Sequence, residues 1–173
     1  MCGIAGMFSC DQVLTGHEPY LAAMSESLAP RGPDQSGAYC HQGCALLHRR
    51  LVVVDPAGGC QPMTYKKLTI VYNGELYNTP ELRTELQQLG YQFDGHGDTE
   101  VVLKAFHAWG EDCAKKFNGI FAYAVYNETT RQLFFARDPM GVKPLFYAVR
   151  GSTFLFASEL KALLCHPLVQ PEV

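Results

Sequence analysis

Apolar and polar positions alternate in short bursts along most of this chain, and helical spacing replaces them in four places. GIAGMF (3–8) is apolar but too short for a helix, and reads as a buried strand. Pro19 to Leu28 puts Leu21, Met24 and Leu28 on one side of a helix. APRGPDQSG (29–37) gathers prolines, glycines and an aspartate, so it reads as a loop. Strands are expected around 36–41, 44–48 and 50–55, the first two joined at His41-Gln42-Gly43, with a loop through PAGGCQP after them. LTIVYN (68–73) reads as a strand that exits at Asn73-Gly74.

Thr79-Pro80-Glu81 predicts a helix start, with Thr79 as N-cap and Pro80 in the first helical position; the stop is Gly90. DTEVVLKAFHAWG predicts a second helix with Val102, Phe106 and Trp109 on one side and Gly110 as its end. From residue 118 the period falls to two. GIFAYAVYN, RQLFFARD, KPLFYAVR and TFLFAS read as consecutive antiparallel strands, and ELKALL as a short closing helix. Meandering strands with helices in blocks argue for an α+β fold.

Composition narrows this picture only in places. A chain of 173 residues suits one domain, and neither a repeat nor a long linker divides it. A net charge of -3 gives no reason to expect nucleic acid, and no apolar run is long enough to span a membrane. There is no basic-then-apolar leader at the N-terminus. The seven scattered cysteines predict a reducing, cytoplasmic setting with free thiols. Cys40, Cys44 and His48 are four apart, which on a helix could begin a zinc site. The segment reads as two strands instead, and a further ligand would have to come from far away, so buried thiols are expected and no metal ligand is assigned.

The candidate chemistry starts at MCGIAG. Methionine is normally removed before a small residue, and its removal would leave Cys2 with a free α-amine beside its thiol. A thiol needs a base to become a nucleophile, and an α-amine with a pKa of about 7.7–8.0 can serve. The plain alternative is a small buried residue on a strand. In YNGELYN (72–78), Asn73 and Gly74 are either an ordinary strand exit or an oxyanion hole made of one side-chain amide and one backbone N–H. Strand alternation sends Arg49 and Arg50 to opposite faces, so one of them can enter a cleft and grip a carboxylate. Asp98 is either a helix N-cap or a carboxylate facing a ligand ammonium. Arg50 and Asp98 together would match the zwitterionic end of a free amino acid.

These motifs converge. MCGIAG, RGPDQSG (31–37), HRRLVVVD (48–55), QPM (61–63), VYNGELYN (71–78), GDTEVVL (97–103), NGIFAYAVY (118–126), RDPMGVKPLFY (137–147) and ASELKAL (157–163) resemble, in order, the class II glutamine amidotransferases. These are N-terminal-nucleophile hydrolases, and the likeness is greatest to the glutaminase domain of glutamine-hydrolysing asparagine synthetase. The resemblance implies a four-layer αββα sandwich. It implies that Cys2 attacks the side-chain amide of L-glutamine with its own α-amine as base, and that Asn73 and Gly74 stabilise the oxyanion. It further implies that Arg50 holds the α-carboxylate and Asp98 the α-ammonium, while Glu75 and the Val53 backbone line the pocket.

No cofactor is implied for this domain; ATP and magnesium belong to a synthetase domain that amidates aspartate, in cis or in trans. Its Ser-Gly-Gly phosphate loop does not occur here. Residues 1–165 are therefore expected to form the amidotransferase domain and 166–173 to begin a linker. L-glutamine is the expected partner, with no nucleic acid or membrane; the oligomeric state, a homodimer included, is left open. The alternatives are a stand-alone amidotransferase serving another acceptor, a non-catalytic glutamine-binding module, an N-terminal-cysteine acylase of other amides, and a metal or redox protein built on Cys40 and Cys44.

Overall fold

The structure is a computed structural model and describes residues 1–11, 14–53, 55 and 58–171. Two antiparallel sheets carry the architecture. The first has the strand order β2 (Gln35–His41), β3 (Cys44–Arg50), β1 (Gly3–Ser9), β9 (Thr153–Ala157), β8 (Phe146–Arg150). The second runs β4 (Met63–Tyr65), β5 (Leu68–Leu76), β6 (Gly119–Asn127), β7 (Gln132–Arg137). The helices are α1 (Glu18–Ser27), α2 (Thr79–Gln88), α3 (Asp98–Trp109) and α4 (Leu160–Leu163), with a 3-10 helix over Gly110–Lys116.

The period of two in the sequence sorts side chains into layers. On β1, Ile4 joins Leu46, Val71, Ala122, Tyr126 and Phe156 in a core between the two sheets. Ala5 and Met7, one step along the strand, turn the other way and pack with Leu21, Met24 and Leu28 from the first helix. Ile70 and Tyr72 of β5 pack with Leu82, Leu86, Val102 and Phe106 from α2 and α3. Three apolar layers thus separate four structural ones, α1/α4, sheet, sheet and α2/α3, which is the expected αββα sandwich. Each fully covered large side chain, such as Ile4 or Phe156, contributes about 1.5–3 kcal/mol.

Several local expectations change. β2 and β3 are joined by Gln42 and Gly43, whose φ angles of 42° and 82° suit a two-residue hairpin turn. β3 runs unbroken to Arg50, and the strand expected over 50–55 does not form among its described residues; Val54, like Pro56 and Ala57 of the expected loop, lies outside them. β5 does not exit at Asn73-Gly74 but stays paired with β6 to Leu76. Asn78, not Thr79, precedes α2, and Thr79 Oγ1 donates back to the Leu76 carbonyl.

The four C-terminal strands are not one meander: β7 edges the second sheet and β8 the first. The crossover between them is pinned by Asp138, whose carboxylate accepts from the Phe121, Val142 and Lys143 amides. Packing also continues past the boundary expected at 165, since His166 is fully buried and Val169 joins the α1 layer.

Candidate active site

Cys2 precedes β1 on the side that faces the second sheet, one alternation from Ile4. Arg31 holds it: Nε donates to the Cys2 carbonyl at 3.0 Å while Nη1 pairs with Glu159 at 3.2 Å. The thiol itself points to the Leu51 carbonyl at 3.7 Å. Met1 lies over the same opening, with its sulfur 3.5 Å from Lys143 Nζ.

Asn73 projects from β5 toward β1 and β3 and is 2% exposed. Its Nδ2 is buried and has no hydrogen-bond partner among the described residues. A buried donor without an acceptor is costly, so an acceptor placed beside it in the cavity would be favoured. The neighbouring Gly74 amide is aimed by register. Gly74 sits opposite Phe121, whose N–H and C=O both bond to Asp138 on the far side. That pair is therefore of the non-hydrogen-bonded kind, and the Gly74 N–H points away from β6. The amides two residues on either side point the same way: Tyr72 N–H donates to Gln61 Oε1 at 2.6 Å and Leu76 N–H to Asp98 Oδ2 at 3.1 Å. Gly74 has to be glycine, because a Cβ there would lie 2.6 Å from the Tyr72 hydroxyl and 2.7 Å from the Ile120 carbonyl.

Arg50 ends β3 only 4% exposed. One guanidinium nitrogen donates to Gln35 Oε1 at 2.8 Å and the other to the Asp55 carbonyl at 2.6 Å. Arg49 turns the opposite way, to Ser25 and Glu26 of α1. Asp55 fixes the rim: its carboxylate accepts from the amides of Gly58, His96 and Gly97, and these, led by His96, hold it below the usual carboxylate range. Asp98 opens α3 but does not cap it; Gly97 occupies the cap position. Its carboxylate instead accepts from the Tyr72 hydroxyl at 2.7 Å and the Leu76 amide. Burial pushes the Asp98 carboxyl above its ordinary pKa, and these two donors oppose the shift.

Cys2, Asn73, Gly74, Arg50, Val53, Glu75 and Asp98 all line one cavity of about 440 Å³, a size usual for small-molecule sites. Val53 and Glu75 are exposed at its mouth. The cavity also takes in Gln61, Tyr72, Thr99 and Lys143, for which the sequence offered motif membership but no role. A larger depression of about 680 Å³, near Lys66, Phe106 and Trp109, contains none of the candidate site residues. Cys40 and Cys44 do not converge: Cys40 is exposed opposite Ala45 on the α1 face, while Cys44 is buried between the sheets. His48 is also buried between the sheets, donating from Nε2 to the Tyr72 carbonyl at 3.2 Å.

A family model described as a glutamine amidotransferase domain matches residues 1–173. The chain is 48% identical to "Asparagine synthetase [glutamine-hydrolyzing] 3" of Bacillus subtilis, covering 100% of this chain and 29% of that one. It is 34% identical to "Asparagine synthetase [glutamine-hydrolyzing]" of Zea mays, covering 94% of this chain and 28% of the relative. The chain thus spans less than a third of the length of these curated relatives. Among solved structures, glutamine phosphoribosylpyrophosphate amidotransferase from B. subtilis superposes with a TM-score of 0.78 at 21% identity, over 95% of this chain and 43% of that one, which is a likeness of fold. With its two-sheet sandwich, its ordered motifs and a match over its whole length, this chain belongs to the glutamine amidotransferase domain family.

Proposed function

We propose that this domain hydrolyses L-glutamine to glutamate and ammonia through a γ-glutamyl thioester on Cys2, after removal of Met1 frees the Cys2 α-amine. The observation that carries the proposal is the buried Nδ2 of Asn73, without a hydrogen-bond partner among the described residues, in the same cavity as the thiol. The amine takes the thiol proton and the sulfur attacks the amide carbon. The negative charge that develops on oxygen is met by Asn73 Nδ2 and the Gly74 N–H, preorganised donors in a partly dry site. The amine then passes its proton to the leaving nitrogen, ammonia departs, and water cleaves the thioester with the same amine as base. Arg50 holds the substrate carboxylate and Asp98 its ammonium, with Glu75 and the Val53 backbone at the rim.

The ammonia goes to a synthetase domain that uses ATP and magnesium to amidate aspartate. The reading is supported by the asparagine synthetases among the relatives. Residues 166–173, of which His166 and Val169 still pack against this domain, lead toward that one, and the enzyme works in the cytoplasm. No described helix is long and apolar enough to cross a membrane.

The test is ammonia release from glutamine. Cys2→Ala, or an N-terminal extension that blocks removal of Met1, is expected to abolish it while leaving the circular dichroism spectrum unchanged. Undiminished release in either variant would refute the mechanism.

A further inference from the structure

Tyr72 faces the helix layer, yet its hydroxyl reaches the cavity. It does so because Gly74, two residues along the same face of β5, has no side chain to cover it. The phenol oxygen sits 2.7 Å from Asp98 Oδ2, and the Leu76 amide reaches the same oxygen at 3.1 Å. Both bonds land on one oxygen, so they fix the rotation of the carboxylate as well as its position. Apart from the residue's own backbone amide, these are its donors among the described residues, and no cationic side chain forms an ion pair with it. Asp98 is half-buried at the cavity wall, where a ligand ammonium would supply the opposite charge.

We propose that Tyr72 is a positioning residue that sets substrate specificity: its hydroxyl holds the Asp98 carboxylate so that the site demands an α-ammonium on the amide it hydrolyses. The proposal rests on the reading of Asp98 given above. The phenol is suited to be a constant donor, because burial first, and then the adjacent Asp98, push its pKa well above the ordinary value. It therefore donates across the working pH range and never competes as an anion. Removing only the hydroxyl leaves the Leu76 amide in place, so Asp98 keeps its location but loses one of the two bonds that orient it. A hydrogen bond to a charged group is of a strength that makes this loss about tenfold in binding.

The experiment compares two substrates in the processed protein: L-glutamine, and the same molecule without its α-amino group, glutaramate. For Tyr72→Phe, the KM for glutamine should rise about tenfold with kcat changing far less. The kcat/KM for glutaramate should stay near the parent value, so the preference for glutamine shrinks by about the same tenfold factor. Asp98→Asn should shrink that preference at least as far, and adding Tyr72→Phe to it should cost little more, because the two act through one contact. A merely structural defect would lower both substrates together and leave the ratio where it was. If Tyr72→Phe keeps the ratio intact while Asp98→Asn collapses it, the role of Tyr72 is wrong and the reading of Asp98 stands. If Asp98→Asn also keeps the ratio, the reading of Asp98 itself falls.

Discussion

Arg49 and Arg50 are adjacent in sequence and opposite in surroundings. Alternation along β3 sends the first to Ser25 and Glu26 of α1 and the second into the cavity wall. That split was legible from the period of two alone. Which arginine would be buried was not, because it depends on which sheet face the second sheet covers. Arg50 reaches the Gln35 side chain and the Asp55 carbonyl, so its guanidinium is held in one orientation at the cavity wall. On the proposed reading, in which Arg50 holds the substrate carboxylate, Arg50→Ala removes a contact that substrate and transition state share. It is therefore expected to raise the KM for glutamine about tenfold or more with a smaller effect on kcat. Steady-state kinetics decide it: a fall in kcat alone would show that the residue is misplaced. Asp98 teaches the reverse lesson. Its sequence context fits a helix cap, but the carboxylate leaves its own helix for Tyr72 and Leu76, 26 and 22 positions away.

At the scale of elements, the site depends on how β3 and β5 are tied together. His48 on β3 donates to the Tyr72 carbonyl on β5, one residue before Asn73. Burial lowers its pKa from 6.5 to about 4, so at neutral pH it is an uncharged donor. In the unfolded chain it binds a proton below about 6.5, and in the folded protein only below about 4. The unfolded state thus holds more protons in that window, and stability should fall as pH drops from about 6.5 toward 4, by roughly 3 kcal/mol at the low end. His48→Gln should flatten that part of the stability–pH curve in urea titrations. A slope identical to the parent's would show that another group is responsible. From the sequence His48 stands out only as a possible metal ligand, since its link to β5 crosses between sheets and leaves no local trace. The sheet change between β7 and β8 escaped for the same reason: alternation marks a strand but not its neighbours.

At the scale of the whole molecule, the sandwich depends on a closely filled core between its two sheets, where Ile4 and Phe156 of the first meet Val71 and Tyr126 of the second. Gly6 leaves room for that filling, since a Cβ there would sit 2.4 Å from Phe156 Cε1 on the adjacent strand β9 and 2.5 Å from the Ala45 carbonyl on β3. Gly6→Ala should destabilise the fold by about 1–3 kcal/mol through overpacking between the sheets. A shifted denaturation midpoint with an unchanged m-value would report it. A variant as stable as the parent would mean that the Phe156 ring and β3 can shift aside at no cost.

Side-chain identity and the spacing of apolar positions are local properties, so the sequence by itself determined most of the strands, the four α-helices, the α+β class and the kinds of groups available for chemistry, while missing β4 and expecting a strand over 50–55 that its described residues do not form. The ordered motifs added the family. Only the tertiary structure decided that β5 runs on through Gly74, that the Gly74 amide faces the cavity, and that the Asn73 amide finds no acceptor among the described residues. It also decided that Asp98 is held by a tyrosine rather than capping a helix. Each of these follows from which strand lies beside which and in what register, and those pairings join residues far apart in the chain through packing that no short window of sequence contains.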